Sequence, residues 1–183
     1  MLSEVARGQV RSDDHRLKEW FSTIAATSRD TVDSMSDIVW AVNPKRDHLR
    51  DLTRRMRRFA DDILGARNIE LRFREPDTGL DLKLGADLRR EVFLIFKETI
   101  NNLVRHSQCT EAAVDLHIAQ GRLVLRVSDN GRGLNSATAD EGTGIASMRG
   151  RAQRLGGSFE ITSPNEAGTI ITLDVSLDHH PKP

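Results

Sequence analysis

The hydrophobic period of this chain changes once, near residue 68. Before that point apolar side chains recur every three or four positions, as they do on one face of a helix. After it, runs that alternate with a period of two appear between helical stretches, the pattern of half-buried strands. The chain must therefore build a helical segment first and a mixed sheet-and-helix unit second. The longest helical pattern opens at Ser12 or Asp13, each a good N-cap residue type. Its stripe reads Leu17, Trp20, Ile24, Thr27 or Ser28, Thr31, Met35, Ile38 and Val42, widened at the far end by Val39 and Trp40. Asn43-Pro44 ends it, because proline lacks the amide hydrogen and disfavours helix in the residue before it. A helix of about 30 residues with one apolar stripe is more than a small domain can cover, so it calls for a partner helix. Residues 1–10, with Leu2, Val5, Ala6 and Val10, read as the tail of another helix, folded back by a polar turn from Gly8 to Asp14. A further helix, capped by Asp47, turns Leu49, Leu52, Met56, Phe59 and Ile63 inward and ends near Gly65. Its run of Arg54, Arg55, Arg57 and Arg58 reads as a solvated face rather than a patch for an acidic partner.

Beyond residue 68, Ile69–Phe73 alternates as a strand, Leu80–Leu84 suggests a second, and Leu88–His106 is an apolar-rich helix. Ala113–Ile118 and Leu123–Val127 alternate and are joined through Gln120-Gly121, a hairpin signature. A glycine-rich stretch over 129–144 leads into a helix ending at Gly156-Gly157. Two more strands, Ser158–Thr162 and Thr169–Leu177, are turned by residues 164–168, and 179–183 is a tail. This order predicts an α+β unit, a two-layer sandwich of a mixed sheet with helices on one face. The expected divisions are 1–44, 45–67 (a linker helix), 68–178 and 179–183.

Charge and cysteine content narrow the function. Lys+Arg and Asp+Glu are both 27, which argues against the uniform basic field of a direct nucleic-acid or membrane-surface binder. Cys109 is the one cysteine, so no intrachain disulfide forms and a reducing cytoplasm is the expected setting. No apolar run reaches the roughly 20 residues of a membrane span, and Met1-Leu2-Ser3-Glu4 does not open a signal peptide. The expectation is a cytoplasmic piece, compatible with an inner-membrane-anchored parent.

Three groups of residues carry chemistry. Glu98 and Asn102 stand one helical turn apart on one face, with Arg105 and His106 continuing nearby. A carboxylate and an amide oxygen are hard donors suited to Mg²⁺ that shares its shell with phosphate oxygens, and the two cationic side chains could meet those phosphates. The plainer reading of that face is a solvated one, and from these residues alone the two stand even. Asp129, Gly131 and Gly133 follow directly on a strand. The glycines let backbone turn tightly and approach a ligand, and Asp129 at the strand end can accept from an exocyclic amine such as adenine's. A surface turn would look similar, but an EF-hand loop would not, since glycines stand where its third and fifth ligands belong. Gly142, Thr143, Gly144 and Ile145 run into a helix carrying Arg149 and Arg151, a helix start that can cradle phosphate. A dinucleotide fingerprint fails here, because Ser147 occupies the place of its third glycine.

Taken together, the order and spacing of these groups resemble the N, G1 and G2 boxes of the Bergerat-fold ATPases. That family groups histidine kinases with type II topoisomerases, heat-shock chaperones and mismatch-repair ATPases. Gly168-Thr169 matches a further family element near the adenine, and the resemblance covers residues 68–177. Within the family, Glu98-x-x-x-Asn102 with Arg105-His106, and the short loop between Gly133 and Gly142, are similar to one class of sensor histidine kinase. That class includes the nitrate and desaturase sensors and pairs with response regulators carrying a LuxR-type DNA-binding domain. Ser36-Asp-Ile-Val-Trp-Ala-Val-Asn-Pro44 resembles the second dimerisation helix and linker of the same class. The resemblance implies a homodimer through helix 13–42, ATP and Mg²⁺ as cofactors, adenine selected by Asp129, and a pocket shaped by Gly131, Gly133 and Thr169. It implies Mg²⁺ held by Asn102, and phosphates met by Arg105, His106, Gly142, Thr143, Gly144 and Ile145. Glu98 would orient the metal's water shell or assist deprotonation of an acceptor histidine, and both roles stay open.

One element of the class pattern is missing. The class places its phosphoacceptor in a His-Asp pair on the first dimerisation helix, and no His-Asp or His-Glu pair occurs in this chain. His15 precedes Arg16, His48 precedes Leu49, His106 precedes Ser107, His117 precedes Ile118, and His179 and His180 lie in the tail. No phosphoacceptor is expected in this chain, which reads as a fragment beginning in the tail of the first dimerisation helix, with a naturally short kinase as the alternative. Two alternatives stand beside this reading. An anti-sigma-factor serine kinase of the same fold would not need the long helix, and a dimerisation module with a decayed nucleotide site would not keep Asn102, Asp129 and both glycine pairs.

Overall fold

The structure is a computed structural model that describes residues 15–42, 47–76, 82–133, 143–164 and 167–177. The expected N-cap at Ser12 or Asp13, the helix tail over 1–10, the stop at Asn43-Pro44 and the C-terminal tail lie outside the described residues. The chain divides into two compact units, Met1–Asn43 and Pro44–Pro183.

In the first unit, helix α1 runs over His15–Val42 for 28 residues, which at 1.5 Å per residue is about 42 Å. The expected stripe is not a buried one. Trp20, Ile24 and Met35 from it, with Val32 and Val39, are exposed, whereas Ala25, Asp37 and Trp40 are buried. Thr23 and Thr31 turn their hydroxyls back to the carbonyls of Glu19 and Thr27, which satisfies the side chains without interrupting the helix.

In the second unit, α2 (Leu49–Gly65) and β1 (Glu70–Arg74) are followed by α3 (Ala86–Asn102). Next come β2 (Glu111–Ala119), β3 (Arg122–Asp129), α4 (Thr143–Arg154), β4 (Ser158–Thr162) and β5 (Ile170–Ser176). Among the described residues the sheet has five strands in the order β1-β2-β3-β5-β4. The β1–β2 pair is parallel and the rest are antiparallel, so the sheet is mixed as expected. Register puts Val114 opposite Val127, Leu116 opposite Leu125, and Leu125 opposite Leu173. These residues, with Ala112, Leu123, Val175 and Phe159, form one buried face. Helix α2 lies against β1 and α4 against β4, with α3 packed between the two helices. Leu52, Met56, Ala60 and Leu64 of α2 and Val92, Ile95, Phe96 and Ile100 of α3 are fully buried. Each such large side chain contributes about 1.5–3 kcal/mol. Phe59 sets its ring edge-on to Phe93 and Phe96, at 6.0 and 6.3 Å between centroids. The β2–β3 turn needs φ > 0 at both central residues, and Gln120 and Gly121 adopt 51° and 72°, the twist that suits a two-residue hairpin.

Four local expectations change. Leu80–Leu84 is not a described strand: residues 77–81 lie outside the description, and Lys83 forms one isolated bridge with His48. That bridge ties the segment to the entry of α2, with Leu49 N–H donating to Leu82 and Leu84 N–H to Asp47. Asp47 is not the cap of α2; His48 stands there without a side-chain capping bond. The Asp47 carboxylate instead meets His48 Nδ1 at 2.9 Å and Lys83 Nζ at 3.5 Å. Within the arginine run, Arg55 stacks over Phe93 and Arg57 over Phe73, so only Arg54 and Arg58 are fully on the solvated face. Finally, the helix expected to reach His106 is α-helical only to Asn102, and Leu103–Ser107 widens into a π-helical turn closed by Gln108 at φ 56°.

Candidate functional site

The π-helical turn is where the site begins. It exposes Arg105 and His106 and turns the Ser107 carbonyl toward the loop after β3, where it accepts the Arg132 N–H at 2.9 Å. Single turns of this kind are common at functional sites because they re-aim side chains beyond a helix end. Arg132 also donates from Nε to the His106 carbonyl at 2.8 Å. The Asp129–Gly133 loop and the π turn are therefore fastened to each other.

Gly131 is the pivot of that arrangement. A Cβ built there would overlap the Ser107 carbonyl oxygen and come within 2.8 Å of Asp129 Oδ1, so no side chain fits. Its N–H donates to Asp129 Oδ1 at 2.8 Å. On the other side, Gly168 at φ 69° donates to the Gly131 carbonyl at 2.6 Å, and Asp129 N–H donates to the Thr169 carbonyl at 3.0 Å. Burial pushes the Asp129 carboxyl up from its ordinary range, while hydrogen bonds from Gly131 and from the backbone and hydroxyl of Thr169 pull it back. Asn130 has a different duty from its neighbours. Its side-chain oxygen accepts the N–H groups of Thr110 and Glu111 and its amide donates to the Thr110 hydroxyl, which splices the loop onto the start of β2.

Glu98 and Asn102 lie one turn apart on α3 and face the first turn of α4. A Cβ on Gly144 would overlap Glu98 Oε1, and Asn102 Nδ2 would be 3.6 Å from it. Glycine at 144 is what lets the α4 backbone come this near the two polar groups.

These parts surround a cavity of about 540 Å³, within the range of small-molecule and cofactor sites. Glu98, Asn102, Arg105, His106, Asp129 and Gly133 line it, as do Gly144, Ile145 and Thr169. Its apolar wall is Leu103, Val127, Met148, Ile161 and Ile171. Gly131 shapes the cavity from behind, and Thr143 begins α4 without being on its wall. Gly142 lies outside the described residues. Sequence reasoning missed Arg132 and the apolar wall; only the alternating apolar pattern of β3 and β5 signalled the latter. Among the described residues, no three His, Cys, Asp or Glu side chains converge as a metal site. A cation held by Glu98 and Asn102 would need oxygens from a ligand to complete its shell, which is the way Mg²⁺ is bound beside phosphates. The donor set fits that ion.

Comparison with known proteins gives the family and the fold. The family described as histidine kinase-, DNA gyrase B-, and HSP90-like ATPase matches residues 87–179. The sensor protein VraS of Staphylococcus haemolyticus (strain JCSC1435) is 35% identical over 99 residues, covering 54% of this chain and 28% of that protein. VraS of Staphylococcus aureus (strain COL) is 34% identical over the same length and shares. The chain thus spans little more than a quarter of the curated relatives it matches. Among solved structures, Acinetobacter baumannii histidine kinase AdeS superposes with a TM-score of 0.64 at 14% identity, covering 97% of this chain and 92% of that one. The histidine kinase domain of the Erythrobacter litoralis EL346 blue-light activated histidine kinase gives 0.61 at 20% identity, covering 96% and 90%. At these identities the likeness is one of fold.

Proposed function

Because the chain belongs to the family of histidine kinase-, DNA gyrase B- and HSP90-like ATPases, we propose that it is the ATP-binding catalytic part of a sensor histidine kinase. The observation that carries this is convergence. Residues from α3, the β3 loop, the start of α4 and the start of β5 meet on one cavity that has a carboxylate–amide pair at one side and the half-buried Asp129 at another. Asp129 accepts the adenine amine, beside Thr169 and above an apolar wall that covers the ring faces. Asn102 would hold Mg²⁺, with Glu98 beside it. When bound, the ion neutralises charge on the transferring phosphate. Arg105 and His106 meet the phosphates from the π turn, and the backbone of Thr143, Gly144 and Ile145 meets them from the N-terminus of α4. Phosphoryl transfer needs positioning and charge neutralisation more than covalent help from the protein. The acceptor imidazole, supplied by a chain that carries it, attacks the γ-phosphorus in line as the bond to ADP breaks. Glu98 would either orient the water shell of that ion or take the imidazole proton.

The exposed apolar residues of α1 support a homodimer, and the kinship to sensor proteins supports a response regulator as the next phosphate acceptor. The class that Glu98-x-x-x-Asn102 with Arg105-His106 resembles is the support for a LuxR-type DNA-binding domain on that regulator. ATP as substrate puts the site in the cytoplasm. Among the described residues no helix is long and apolar enough to cross a membrane. An anti-sigma-factor serine kinase of this fold has no use for a helix like α1.

The test is a calorimetric titration with ATP, with and without Mg²⁺, on the chain and on Asn102→Ala. Mg²⁺ should tighten ATP for the parent and not for the variant. A parent that does not bind ATP would sink the reading, and a variant that binds Mg-ATP as tightly as the parent would sink the metal role.

A further inference from the structure

Helix α4 carries little apolar anchorage for an element that closes a nucleotide site. Of its residues, Met148 and Ala152 are buried, and Leu155 follows just past its end. What else holds it is a charge cluster away from the cavity. Glu91 on α3 is only 8% exposed at its side chain, and its Oε2 accepts from Arg151 Nη1 at 2.8 Å and Arg154 Nη2 at 3.1 Å. Its Oε1 accepts from Arg90 at 3.2 Å. Arg90 belongs to α3 and so only balances charge, whereas Arg151 and Arg154 belong to α4 and connect the two helices.

The placement of Glu91 on α3 gives the cluster its meaning. Glu91 and Glu98 are seven residues apart, two turns, and so share a face to within about 20°. Helix α4 passes antiparallel over that face. Gly144 packs on Glu98, Met148 Sδ lies 3.5 Å from the Thr99 hydroxyl, which donates to the Ile95 carbonyl at 2.9 Å, and Arg151 and Arg154 reach Glu91. The two helices are thus pinned at both ends of their crossing, by backbone against Glu98 at the cavity and by ion pairs at Glu91. A carboxylate this buried is stable only when paired. Without that charge Arg90, Arg151 and Arg154 lose the acceptor they share, and the C-terminal half of α4 loses its ion pairs to α3.

We infer that Glu91 is a positioning residue for the triphosphate, holding α4 through Arg151 and Arg154 where its first turn meets Glu98 and Asn102. This rests on the ATP reading of the cavity. Adenine depends on the sheet, through Asp129 and Thr169, so the pin governs the phosphate end of the ligand and not the base.

Glu91→Gln keeps the shape and removes the charge. In the ligand-free chain, hydrogen exchange of α4 amides should quicken while the β2–β3 hairpin keeps its protection, since local opening is tied to the contacts an element loses. Mg-ATP affinity should fall about tenfold, the scale of one charge-assisted hydrogen bond, while adenosine affinity stays unchanged. Arg151→Gln should give the same pattern, and the double variant should add little to either single one. Should Glu91→Gln fail to fold, Arg154→Gln, whose side chain is mostly exposed, should give a smaller shift of the same kind. Unchanged exchange in α4 overturns the proposal, as does an equal loss for adenosine and Mg-ATP. If the parent does not bind Mg-ATP, the ATP reading fails and the positioning role with it, while exchange still decides whether Glu91 pins α4.

Discussion

A carboxylate at the end of β3 costs the domain stability before any ligand arrives. Burial raises the Asp129 carboxyl above its ordinary 3.8, so the folded chain binds more protons there than the unfolded chain. Stability therefore falls as pH rises from that ordinary value through the folded-state value, and the penalty is complete above the latter. Asp129→Asn removes the charge and keeps an oxygen for the Gly131 N–H. It should raise the thermal midpoint of the ligand-free chain at pH 7, by an amount that shrinks toward pH 4. The same change should weaken ATP and ADP alike, by about ten- to a hundredfold, because both present adenine to the lost acceptor. Differential scanning with and without nucleotide reads both effects; unchanged ADP affinity would count against the adenine role. Asp129 was legible because it stands at a strand end before two spaced glycines, and Glu98 and Asn102 because one helical turn separates them. Arg132 and Asn130 were not. Their partners are His106, Ser107, Thr110 and Glu111, some twenty positions away, and spacing along the chain carries no signal of contacts made only by folding.

At the scale of elements, what could be read depended on whether an element declares itself locally. The β2–β3 hairpin does, through alternating side chains and a two-residue turn that tolerates positive φ. The π-helical turn does not, since Leu103–Ser107 continues an apolar helical pattern and widens only to bring the Ser107 carbonyl onto the β3 loop. Leu80–Leu84 has strand-like composition, yet in the described part its backbone groups pair with the entry of α2 rather than with the sheet. Helix α4 is the soft element of the site, with a glycine at its middle. Nothing lies within 4 Å of a Cβ built on Gly150, so the residue answers no steric demand. Gly150→Ala should then stabilise the chain by about 0.5–1 kcal/mol, the usual difference between the two residues inside a helix. Urea unfolding measures it, and a destabilised variant would mean that α4 needs the freedom glycine gives.

The whole molecule comprises a well-packed nucleotide domain and a helix on which several large apolar residues are exposed. Trp20 is 57% and Val39 66% exposed, with Ile24, Val32 and Met35 between them. An exposed apolar row on one helix is the mark of an association surface, and helices of this length cover such rows by pairing. The chain should therefore self-associate through α1. Both tryptophans lie on that helix, Trp20 exposed and Trp40 buried, and the nucleotide domain has none. Dilution should consequently shift the emission to longer wavelength as Trp20 returns to water, whereas ATP should leave it nearly unchanged. Met35→Glu places a charge in the middle of the row and should keep the chain monomeric by light scattering without altering ATP affinity, because Met35 belongs to the unit that does not carry the cavity. A parent chain that stays monomeric at high concentration would overturn the assignment of α1 as the association surface. A Met35→Glu chain that associates as strongly as the parent would move that surface to another part of the molecule.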